Sequence, residues 1–125
     1  MKTTCAVAVL ALLFGADVAR ADEFLGSYVA RISAKDHVAS DGYPLESAAQ
    51  MVRQDRANWH RFGRGDREDQ DDPWFGSTNA RTRFERLLQQ PGAMSSATKR
   101  AITRGQPVVE VRVYRQNVEV DVIGN

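Results

Sequence analysis

The stretch Val109-Glu110-Val111-Arg112-Val113-Tyr114-Arg115-Gln116-Asn117-Val118-Glu119-Val120-Asp121-Val122 alternates valine with charged residues on both sides of Arg115-Gln116-Asn117. Alternation at period two puts one class of side chain on each face of a strand, so the segment predicts a β-hairpin with one valine face. Charge pairing bears on its register. With Val113 opposite Val118, Glu110 would meet Asp121, and like charges directly opposed cost about 0.2–1 kcal/mol. With Val113 opposite Val120, Arg112 meets Asp121 and no like charges face each other. The second register is therefore expected, with a two-residue turn at Gln116-Asn117 in which Asn117 takes positive φ.

Working back from the hairpin, three helices and a strand are legible. Ser95 opens a short helix that ends in the basic turn containing Arg104, followed by Gly105. Residues 79 to 90 place Ala80, Phe84, Leu87 and Leu88 at helical spacing and stop at Pro91-Gly92. Ser47 and Gln50 form a Ser-x-x-Gln capping box for a helix running to about Phe62, where Gly63 and Gly65 end it. Between Gly63 and Asn79 lies a long polar, acidic loop broken by Pro73, with Trp74 and Phe75 expected to pin it to the core. The stretch Lys35 to Pro44, with Asp41-Gly42, reads as a loop carrying Asp36 and His37. Tyr28, Ala30 and Ile32 alternate with Arg31 and Ser33 in a strand from 27 to 33. The expected fold is one small α+β domain: a strand, three helices and a hairpin, with the helices on one face of a small antiparallel sheet.

Residues 1–21 read differently. Lys2, an apolar run of about 11 residues from Cys5 to Gly15, and Ala19-Arg20-Ala21 have the form of a cleavable signal peptide, the run being shorter than the roughly 20 residues a membrane span needs. Export to a periplasm or to the exterior is expected, with the domain spanning 22–125 and no membrane span once the leader is removed. Cys5, the sole cysteine, would leave with the leader, so disulfides, thiol catalysis and Cys-ligated metals are not expected. Without Lys2, Asp17 and Arg20 the chain carries 15 basic and 15 acidic side chains, which argues against nucleic-acid binding. The charge is polarised: residues 22 to 80 hold 7 basic and 11 acidic groups, residues 81 to 125 hold 8 and 4. The simplest expectation is that the two halves face each other.

Stepping 100° per residue along the helix from Ser47 puts Asp55 in the middle of a stripe made by Ala48, Met51, Val52, Trp59 and Phe62. An ionised carboxylate there needs a partner, because burying it alone costs several kcal/mol, roughly. An arginine of the basic half, or backbone N–H groups of the following loop, are the expected donors. His60 projects about 140° from Asp55 and is expected in solvent. A zinc site built from His37, His60 and a carboxylate lacks any local spacing motif, and no metal or cofactor is expected. The acidic run Asp66 to Asp72 fails as an EF-hand loop, since Asp71 would fall where glycine is needed and Ser77 where the bidentate glutamate is needed; a solvated acidic loop is expected. Trp59, Phe62, Trp74 and Phe75 are expected in the core, the alternative being an aromatic binding patch that includes Trp74 and Phe75.

No serine sits in G-x-S-x-G and no glycine-rich phosphate loop occurs. The leading expectation is a noncatalytic exported binding or accessory protein that contacts a protein or envelope partner through the loop Gly63 to Asn79 and the basic second half. A second is a hydrolase-like envelope enzyme using Asp55 with His37 or His60. A third is a small-anion binder that clamps a carboxylate or phosphate with arginines among Arg81, Arg83, Arg86, Arg100 and Arg104.

Overall fold

In a computed structural model, which describes residues 22–125, β1 (Phe24–Arg31) is followed by a single 3₁₀ turn (Ala34–His37) and then by helix α1 (Ala48–Phe62). Helices α2 (Thr78–Leu88) and α3 (Ser96–Arg104) precede β2 (Val108–Tyr114) and β3 (Val118–Gly124). The leader expected at 1–21 lies outside the described residues. None of the described helices is long and apolar enough to cross a membrane.

The local signals act as their chemistry requires. Ser47 accepts from the Gln50 amide while Gln50 reaches back to the Ser47 backbone, and Gly63 closes α1 at φ 62°. Ser77 and Ser95 cap α2 and α3 by accepting from the Ala80 and Thr98 amides. The three strands form one antiparallel sheet in the order β1-β2-β3. Its inner face carries Tyr28, Ala30, Val109, Val111, Val113, Val118 and Val120, all buried. Against it lie Met51 and Val52 of α1, Phe84, Leu87 and Leu88 of α2, and Ile102 of α3. This is the expected α+β arrangement, with the helices on one face.

Three local expectations are corrected. The loop read from Lys35 to Pro44 begins as the 3₁₀ turn, because Asp36 accepts from the Ser33 amide at 2.9 Å and closes a capping box there. Phe62 is 39 % exposed and so lies outside the core, while Trp59 is only partly buried; Phe75, by contrast, stacks on Phe84 at 3.9 Å between ring centroids. The hairpin takes the register that charge pairing disfavoured, with Val113 opposite Val118 and Glu110 opposite Asp121.

A third residue removes the penalty of that register. Arg112 lies 3.3 Å from Glu110, 2.7 Å from Glu119 and 2.7 Å from Asp121, so one guanidinium offsets the repulsion. The turn spans Tyr114 to Asn117 without a positive φ, with the Tyr114 amide donating to the Asn117 carbonyl at 2.9 Å. Its tip is held from outside the hairpin: the Gln116 amide donates to Asp22, and Arg115 pairs with Glu23.

Candidate functional site

The polar face of α1 splits into two environments, a buried network toward the sheet and an arginine-lined cleft toward α2. The network centres on Arg56, which is fully buried. Its Nε donates to Asp55 Oδ2 at 2.8 Å, and its Nη1 donates to Asp72 Oδ2 at 2.9 Å and to the Gln70 carbonyl at 2.9 Å. Its guanidinium also lies 4.1 Å from the centre of the Tyr28 ring. Asp55 is thus buried, as its register implies, but its partner is the adjacent Arg56 rather than an arginine of the basic half or a loop amide.

Asp72 is the second hub and corrects the picture of a solvated acidic loop. Its Oδ1 accepts from the Trp74 and Phe75 amides at 2.8 and 2.7 Å, and its Oδ2 meets both Arg56 and His60 Nε2, the latter at 2.7 Å. Burial alone would raise this carboxyl; the hydrogen bonds from His60, Arg56 and the two amides outweigh it and hold it below its ordinary range. Asp69 accepts from the Arg31 amide and Asp71 from the Trp59 indole, so the acidic loop is stapled to β1 and α1 rather than left in water. His60 is likewise drawn in, with its side chain 14 % exposed.

Asp36, Asp55 and Asp66 each offer an oxygen within 4.8 Å of the others, as do His60, Asp71 and Asp72. Burial raises Asp36 to about 6, against hydrogen bonds from Asn58 and Ser33. Burial also raises Asp55, with Arg56 opposing and Asp36 and Asp69 adding to it. These are the groups that could hold a divalent ion, but protein cations are already in place. Lys35 sits 2.9 Å from Asp66, and Arg56 bonds Asp55 and Asp72, so an entering ion would compete with them.

The cleft is different in kind. Gln50, Arg53, Gln54 and Arg61 recur along one stripe of α1 and face Thr78, Arg81 and Glu85 of α2, with Ser40 and Asp41 at the rim; the hollow measures about 340 Å³. Arg81 is carried inward because it continues the buried stripe of Phe84 and Leu88 on α2. It is 4 % exposed, yet it makes no ion pair among the described residues. Its Nη1 donates to the Phe75 carbonyl at 2.9 Å and its Nη2 reaches Thr78 Oγ1 at 3.4 Å, two of the five N–H groups an arginine offers. Burial, then the charges of Arg53 and Arg61, push its pKa down, with only Asp72 acting the other way. Arg53 is partly offset by Glu85 at 3.5 Å, while Arg61 has no carboxylate partner among the described residues.

Of the residues singled out from sequence, Arg81 lines this cleft, whereas Arg83 and Arg86 are exposed on α2, Arg83 donating to the Arg115 carbonyl at 2.9 Å. Arg100 and Arg104 are exposed on α3. Trp74 and Phe75 are engaged inside the fold. Asp55 makes no hydrogen bond to either histidine among the described residues; His60 is turned to Asp72, and His37 Nε2 is buried without a partner. Arg53, Arg56 and Arg61 were missed as individual site residues, because helical periodicity sorts polar residues outward and says nothing of what faces them. Comparison with protein-family models, with curated proteins and with solved structures returned no match, so function must be argued from this geometry.

Proposed function

We propose that this is an exported, noncatalytic binding protein whose cleft between α1 and α2 takes a small anionic group, a carboxylate or a phosphate. One observation carries the reading: Arg81 is a buried cation with no carboxylate partner, standing beside Arg53 and Arg61. Removing a guanidinium from water is expensive unless a counter-charge is supplied, and Arg81 offers N–H groups that no described protein acceptor uses. A carboxylate or phosphate supplies both charge and acceptors in the forked geometry that arginine favours. Thr78, the first residue of α2, adds a hydroxyl and the positive end of a helix dipole at the same place. A hydrolytic role for Asp55 has less support, since Asp55 is committed to Arg56 and His60 to Asp72.

Titration with inorganic phosphate or acetate, followed by amide NMR shifts, tests the proposal. Saturable shifts are expected at Ser40, Arg53, Arg61 and Thr78, and Arg61→Gln should weaken binding about tenfold, the scale of one charge-assisted contact. Shifts scattered over the surface, or Arg61→Gln binding as the native chain does, would refute it.

A further inference from the structure

The arginine cleft does not end at its rim. A second hollow of about 350 Å³ shares Ala39, Ser40 and Gln54 with the first and continues past Asn58 to Phe62 and Arg64. Its walls mix polar and apolar groups: Val38 and Phe62, 38 % and 39 % exposed, form the apolar part beside Ser40, Gln54 and Asn58, and Lys35 and Arg64 stand at its edge. Arg61 links the two hollows, its guanidinium carbon lying 4.9 Å from the centre of the Phe62 ring. On the shared ridge, Gln54 donates through Nε2 to Ser40 at 3.1 Å and to Asn58 at 3.1 Å, leaving its carbonyl oxygen without a donor among the described residues.

Three complementary features therefore lie in a row along α1. Arginines ask for an acid, an amide oxygen asks for an N–H group, and an exposed phenylalanine and valine ask for an apolar side chain. The stripe from Gln50 to Phe62 spans roughly 18 Å at 1.5 Å per residue, several times the width of a lone phosphate ion. Resting on the anion-binding reading above, we infer that the occupant is a polypeptide segment in which an aspartate or glutamate lies next to a bulky apolar residue. The acid meets Arg61 and Arg81, a backbone N–H of the segment donates to Gln54, and the apolar side chain covers Phe62 and Val38. Charge complementarity favours this partner over a neutral or basic one, because Arg61, Arg64 and Arg81 have no carboxylate of their own among the described residues.

The test uses the full chain as exported and four capped, amidated tetrapeptides. Two are Gly-Phe-Asp-Gly and Gly-Asp-Phe-Gly; in the other two serine replaces the phenylalanine or asparagine replaces the aspartate. Inorganic phosphate is the reference ligand, and calorimetry or NMR titration gives the affinities. At least one Phe/Asp peptide should bind about tenfold or more tighter than phosphate, and both control peptides should lose that advantage. Phe62→Ser should abolish the advantage, and Val38→Ser, which leaves the ring beneath Arg61 in place, should reduce it while changing phosphate affinity less than twofold; both side chains are exposed, and circular dichroism checks that the variants fold. If phosphate binds and depends on Arg61 but no peptide binds tighter, or if Phe62→Ser leaves peptide binding unchanged, the peptide assignment is overturned and the anion cleft stands. If phosphate and peptides all fail to bind, both are overturned.

Discussion

Asp55 and Arg56 are neighbours in sequence and partners in space, and the pair is shared with Asp72 sixteen residues on. Removing one member of a buried charged set leaves the others under-compensated, so Asp55→Ala should destabilise the protein by about 2–4 kcal/mol in denaturant unfolding. A change below about 0.5 kcal/mol, the range of surface substitutions, would mean that the side chain is exposed. Asp36 makes a second prediction through pH. Its folded pKa, about 6, stands above its ordinary 3.8, so the folded protein holds a proton that the unfolded chain releases earlier. Its stabilising effect is complete below about pH 4 and is lost as pH rises through about 6. Melting temperature should therefore be higher at pH 5 than at pH 7.5, and Asp36→Asn should reduce that difference, the raised Asp55 contributing the remainder in the same direction. An equal pH dependence in the variant would assign the effect to another group.

At the level of elements, the hairpin shows how a pairwise rule fails when a third charge is present. Glu110 opposite Asp121 is unfavourable in isolation, but Arg112 contacts both of them and Glu119. Arg112→Gln should expose that repulsion and cost about 1 kcal/mol, a loss that added salt reduces because the cluster is partly solvated. No loss at low salt would show that the turn alone fixes the register. The helices needed no such correction. Ser47 and Ser95 cap the helices that follow them, a contact over three residues that sequence spacing already contains, while Ser77, read from sequence as part of the acidic loop, caps α2 one residue before the expected start.

At the scale of the molecule, the proposal of export depends on residues 1–21, and it predicts a mature N-terminus at Asp22. Intact mass of the protein recovered outside the cytoplasm checks this, and retention of Met1 to Ala21 would refute it. Asp22 and Glu23 brace the hairpin tip through Gln116 and Arg115, so cleavage after Ala21 would spare both contacts.

What the sequence determined by itself was whatever depends on spacing along the chain. The valine alternation, the serine caps and the stripe containing Asp55 fixed the strands, the helices and the burial of one carboxylate, because faces and caps are properties of a few consecutive residues. Tertiary structure alone decided the partners. Arg56 became the buried hub because Tyr28 of β1 and Asp72 of the acidic loop close around it, and Arg61 and Arg81 came to share a cleft because α1 and α2 pack side by side. Those pairings join segments far apart in sequence, where charge energy depends on three-dimensional distance and burial rather than on residue order.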